Sequence, residues 1–196
     1  MVKRTVTAAV PVLGLLVLTA CSSVAVGGTA RPAGGSDGLP PGVPHVPEAL
    51  DTAKFQQDPC DALTAAQLRA FGVAAQGEVG EERAPTCDWS DSRGPSKTNL
   101  SVTIATDRDG LASVYRNRAE FKRFEPVEVE GYPGVLLGGE EVLRGQCDAE
   151  VAVTDRLSFS VNITFNRVDR PADFDNPCAR AKVVAGEVLK TLKGGA

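Results

Sequence analysis

Few side chains in this 196-residue chain can carry chemistry, and their spacing narrows what that chemistry could be. There are five cysteines and one histidine, His45. A single histidine excludes two-histidine metal sites and histidine proton relays, and because it falls ahead of the expected folded domain, no domain histidine is left to activate a Ser or Cys. The chain contains no G-x-S-x-G, no S-x-x-K and no glycine-rich phosphate cradle of either common spacing. Acids cluster at Glu81-Glu82, Glu140-Glu141, Asp107/Asp109 and Asp173/Asp175. Paired carboxylates of this kind could act on a glycosidic bond if held about 5–9 Å apart with split pKa values. The same clusters also suit solvated loops, where each acid finds a nearby cation. Asp107-Arg108-Asp109-Gly110 begins like a calcium loop but lacks the later ligands, and Asp169–Asn176 is no better furnished. The expectation is no catalytic residue, no metal and no cofactor.

The cysteines divide into one and four. Lys3 and Arg4 precede an apolar run from Ala8 to Ala20, followed by Leu18-Thr19-Ala20-Cys21-Ser22 at the run's end. The run has 13 residues, short of the roughly 20 a membrane-crossing helix needs but right for an export signal. Its end resembles a bacterial lipobox, in which the Cys21 thiol takes a diacylglyceryl group and becomes the first mature residue. Two acyl chains at about 0.8 kcal/mol per buried methylene hold a protein on a membrane. The reading is therefore a signal peptide over residues 1–20, lipidation at Cys21, and residence on the extracytoplasmic face of the cell membrane. Cys60, Cys87, Cys147 and Cys178 remain, an even number that in an exported chain implies two disulfides. The intervals between them, 26, 59 and 30 residues, exclude close-paired zinc motifs and C-x-x-C redox chemistry. Three pairings are open. Cys60–Cys87 with Cys147–Cys178 is preferred, because each bond would tie a helix start to a neighbouring strand.

The elements that position these residues follow from composition and periodicity. Residues 21–54 read as a flexible tether: between Ser22 and Leu50 stand six Gly, five Pro and no aromatic side chain. His45 falls there and reads as a solvated linker residue. All ten aromatics lie from Phe55 onward, which sets a folded domain over 55–196. Thr64 and Gln67 fit a capping box opening a short helix that stops at Gly72. Leu100, Val102 and Ile104 alternate as a half-buried strand. A second helix is expected from Asp109-Gly110 through Lys122, carrying a basic patch of Arg116, Arg118, Lys122 and Arg123. Val127–Glu130 alternates, Gly131-Tyr132-Pro133-Gly134 reads as a turn, and Val135–Leu137 follows. Cys147, Ala149, Val151 and Val153 share one strand face while Asp148, Glu150 and Thr154 occupy the other. Leu157–Phe165 alternates cleanly, so the two strands form an antiparallel hairpin. Asn176 and Pro177 open a last helix with its stripe at Ala181, Val184, Ala185, Val188 and Leu192. The expected fold is α+β: an antiparallel sheet of about five strands covered on one side by two or three helices, a two-layer sandwich. Trp89, two residues after Cys87, reads as a core residue over a disulfide.

The order Asp58-Pro59-Cys60 with Leu63-Thr64, Cys87-Asp88-Trp89, Leu100-Ser101-Val102, Val129-Glu130-Gly131-Tyr132-Pro133, Cys147 and Asn176-Pro177-Cys178 resembles the actinobacterial lipoprotein family labelled domain of unknown function 3558. The resemblance spans about residues 55–192, and the lipobox and spacer agree with it. It implies an envelope lipoprotein and brings no catalytic residue. A net charge of −4 argues against nucleic-acid partners. The expectation is a non-enzymatic binding or interaction module, attached to the membrane by its lipid and meeting an envelope ligand or protein of unknown identity. The alternatives are a carboxylate-dependent envelope hydrolase and an accessory sensor or structural lipoprotein.

Overall fold

The computed structural model describes residues 38–80, 82–140 and 142–194. The expected signal peptide and the lipidation site Cys21 lie outside these residues. In chain order the elements are α1 (Ala53–Gln57), α2 (Ala65–Ala70), β1 (Glu78–Val79), β2 (Thr86–Asp91), β3 (Thr98–Ile104), α3 (Gly110–Arg116), β4 (Arg123–Val129), β5 (Tyr132–Gly138), β6 (Gln146–Thr154), β7 (Leu157–Phe165) and α4 (Pro177–Leu192). Short 3₁₀ turns occupy Pro59–Ala62, Arg118–Glu120 and Val142–Arg144. The strands form one antiparallel sheet in the order β1-β2-β3-β7-β6-β5-β4.

The α+β class and antiparallel sheet stand as expected, with seven strands in place of about five. The two outermost additions are short or irregular in pattern, which is why alternation does not reveal them: β1 has two residues, and β2 is buried on both faces at Thr86 and Cys87. The turn expected at residues 131–134 sits two residues earlier. Glu130 and Gly131 both take positive φ, and Val129 pairs with Tyr132, so Tyr132-Pro133-Gly134 belongs to β5. This is the two-residue hairpin that favours left-handed central residues.

One sheet face, here the inner face, holds the larger core. Val102, Ile104, Ala149, Val151, Val153, Phe159, Val161 and Ile163 meet Ala181, Val184, Ala185, Val188 and Leu189 of α4. The four domain cysteines are bonded on this side. Cys60–Cys87 ties the 3₁₀ turn before α2 to β2, and Cys147–Cys178 ties β6 to the first turn of α4. Trp89 is 1% exposed and belongs to this core. The backbone at Gly77 closes over the first disulfide so tightly that a Cβ there would lie 2.6 Å from Cys87 Sγ. The capping box Thr64/Gln67 is present, and Gln67 Nε2 also donates to the Glu187 carbonyl at 3.0 Å, fastening α2 to α4. Asn176 is the N-cap residue of α4 but makes no side-chain capping bond.

The helices do not all cover one side. Leu111, Ala112 and Val114 of α3 pack with Val135, Leu137 and Ala152 on the opposite, outer face. Val135 and Leu137 point away from Leu136, so β5 is buried on both faces, and its unbroken Val135-Leu136-Leu137 run is the trace of this in the chain. The tether also ends earlier than residue 54. Val43 is buried in the outer cluster, with Leu39 and Val46 packed against it, and the Leu50 amide donates to the Val153 carbonyl at 2.9 Å. His45 is not simply solvated: its Nδ1 lies 2.8 Å from Asp155 Oδ2, and the Val46 amide donates to Asp155 Oδ1 at 2.8 Å. Three apolar side chains and these bonds order a segment whose Gly and Pro content suggested a free coil.

Candidate functional site

On the outer face, α3 and the segment behind it cover only part of the sheet. A cleft of about 550 Å³ opens where that cover ends. Its apolar wall is Val114, Phe121 and Leu137, and its polar floor is Gln146, Asp148 and Glu150 of β6 with Ser160 of β7. Arg108 and Arg144 stand at its sides. Alternate residues of one strand lie about 6.7 Å apart on one face, which is how β6 presents Gln146, Asp148 and Glu150 in a line.

Glu150 is the unusual member, with 2% of its surface exposed. Ser158 Oγ donates to Glu150 Oε1, and Arg108 Nη1 lies 3.8 Å from Oε2. Burial pushes its carboxyl above the ordinary range; the Ser158 bond and the Arg108 charge pull it down, while the Asp148 and Asp107 charges push further up. Asn162 Nδ2 donates to Asp148 Oδ1 at 2.7 Å. The floor thus includes polar groups bonded to their neighbours.

Pairing of α3 with the sheet depends on a close approach. Gly110 opens the helix with φ +48°, and a Cβ there would meet the Arg156 carbonyl carbon and the Leu157 nitrogen at 2.9 Å each. Arg156 Nη1 reaches Asp109 Oδ1 at 3.0 Å, and Arg116 Nη1 reaches Asp109 Oδ2 at 3.3 Å. These contacts hold the helix that forms the cleft wall.

The acid clusters singled out in the sequence do not assemble a site. Asp109 is engaged as above, Asp107 lies 3.5 Å from Arg108, Asp173 accepts from Arg180, and Asp175 from Arg170. Glu140 pairs with Lys122 at the cleft rim, while Glu81 and Glu141 lie outside the described residues. No group of three or more metal-binding side chains occurs among the described residues. The basic patch is also dispersed. Helix α3 ends at Arg116, where Asn117 Nδ2 donates to the Ser113 carbonyl, Arg118 falls in a 3₁₀ turn, and Arg123 starts β4 and binds Glu125. The apolar stripe lapses after Tyr115, so nothing holds a longer helix against the sheet. Asp148 and Glu150 were legible as one strand face but not as a cleft floor. The available signal was Ala152, an apolar residue on that same face, which marks partial cover.

The family profile described as protein of unknown function, DUF3558, matches residues 16–191. The chain belongs to that family. No curated protein and no solved structure matches it. The matched span takes in the whole sheet, the two disulfides and the cleft floor. No helix among the described residues is long and apolar enough to cross a membrane.

Proposed function

We propose that this member of the DUF3558 family is a lipid-anchored binding module of the cell envelope. Residues 1–20 direct export, Cys21 carries the diacylglyceryl anchor, and the outer-face cleft takes a small amphipathic ligand. The observation that carries the reading is the cleft itself: about 550 Å³, apolar on one wall, with bonded polar groups across its floor. Such a mixture is what orients a ligand inside a concave site. Phe121 and Leu137 would cover the ligand's apolar part, and Arg144, with Asp148 and Gln146, would read its polar end.

A carboxylate-dependent hydrolase ranks below this. Asp148 and Glu150 stand side by side on one strand rather than on facing walls, and both already bond to neighbours. A scaffolding role through an apolar surface ranks lower still, since the large exposed apolar residues among those described, Val79, Val168 and Val183, sit on three different segments.

The test is native mass spectrometry of the full chain purified in detergent from its own envelope, beside Gln146→Trp, which plugs the cleft floor. A retained small-molecule mass that disappears in Q146W is expected. A wild-type protein that carries neither ligand nor partner overturns the binding reading. Cys21→Ser should leave the leader attached and abolish the processed, lipid-bearing form; unchanged processing would remove the anchor from the proposal.

A further inference from the structure

Beyond the cleft, the outer face continues as a second, mainly polar groove of about 540 Å³ across β1, β2, β3 and β7, with Val79 and Leu100 as its apolar lining residues. Register makes it regular. Glu78, Asp88, Ser101, Asn162 and Asp148 stand opposite one another in a single row across five strands. A parallel row runs Ser90, Asn99, Thr164 and Gln146. The side chains therefore form a grid about 4.8 Å by 6.7 Å.

Two features say what fits there. Every side chain in these rows is a hydroxyl, amide or carboxylate, and neighbours hold each other in place: Ser101 Oγ donates to Asp88, Thr164 Oγ1 to Asn162 Oδ1 and Asn162 Nδ2 to Asp148. Hydroxyl, amide and carboxylate groups each carry several donor or acceptor sites. The charged groups lining the groove are Glu78 and Asp88, with no Lys or Arg among its lining residues. A ligand with hydroxyls at a repeat close to the strand spacing satisfies the grid, and amino groups satisfy the charge.

We infer that this groove binds an oligosaccharide bearing cationic amino groups, laid across the strands and running from β1 toward the Asp148 end of the cleft. The inference deepens the binding reading by assigning a second, extended stretch of the same face. Carboxylates and amides accept sugar hydroxyls, and the fixed grid lowers the ordering cost on binding. The ammonium groups seat against Asp88 and Glu78.

The experiment is titration calorimetry of the full chain with four defined hexasaccharides: glucosamine, N-acetylglucosamine, glucose and galacturonate. Affinity is expected to fall in that order, with the glucosamine hexamer weakening as salt rises and exceeding its own monomer. Asp88→Asn with Ser101→Ala and Asn162→Ala should weaken the hexamer about tenfold or more, since several charge-assisted or neutral bonds are lost. Ser101→Ala alone, a change too small to endanger folding, should weaken it measurably. Equal affinity for monomer and hexamer, preference for galacturonate, or no binding by any of the four overturns the inference. Retention of a small-molecule mass by the wild-type chain in native mass spectrometry is independent of these outcomes, so failure of the groove does not count as failure of the cleft.

Discussion

The two faces of the sheet solve the same burial problem in different ways. The inner face is closed by α4 over a continuous apolar layer, with a disulfide at either side. The outer face is closed only over β5 and part of β6, where α3 and residues 39–46 supply apolar cover. Much of the rest, across β1, β2, β3 and β7, is polar and lines the open groove, although Thr86 and Ser158 are buried. Apolar packing therefore concentrates on one side and open polar groups on the other. A rigid, cross-linked inner layer is what allows the outer layer to keep polar rows in register without packing to hold them.

That contrast can be broken by mutation. Phe159→Ala, on the fully buried inner side, should cost about 3–5 kcal/mol in urea unfolding; a loss under about 1 kcal/mol would mean that the inner layer is not the stability core. Replacing Cys147 and Cys178 together by Ser should cost about 3–4 kcal/mol on the chain-entropy model, for a bond closing a 31-residue separation. Gly110→Ala should cost about 1–3 kcal/mol, from its left-handed φ and the backbone it would strike. Ser101→Ala and Asn162→Ala, on the open outer side, should each stay within about 0.5 kcal/mol. Larger losses there would show that the polar rows are structural.

On the outer side, two carboxyls should respond to pH in opposite directions. Glu150, held above the ordinary carboxylate range first by burial, binds its proton more tightly in the folded state than in the unfolded one. Stability falls as pH rises from the ordinary carboxylate range through the folded value, and Glu150→Gln should flatten that limb of a pH series of urea midpoints. Asp155 works in the other direction. Burial pushes its carboxyl up, but the Val46 amide and then His45 outweigh this and hold it below its usual value. Its contribution is complete above the unfolded pKa of Asp and is lost on acidification. Asp155→Asn should remove that acid-side loss and speed amide exchange at Val46.

Much of the architecture is readable from local pattern alone. Period-two alternation marks β3, β6 and β7, and spacing at three and four residues marks α4, because each is half-buried and its side chains sort by face. The capping box at Thr64 and Gln67 is equally local. Strands β1 and β2 and the ordered segment at residues 39–54 escape such reading. Two residues of β1 carry no periodicity, and a Gly- and Pro-rich stretch is ordered only by Val43 meeting Leu111 and Val135 from distant parts of the chain.

By itself, the amino-acid order determined that four cysteines could pair, which strands alternate, and that Asp148 and Glu150 share a face. Only the tertiary structure decided which cysteines meet, that α3 crosses to the outer face, and that Glu150 is buried beside Ser158 and Arg108 while Asp88 is left open. The reason is geometric. Alternation says which side of a strand a residue occupies, but burial depends on what lies over that side. That cover comes from segments tens of residues away.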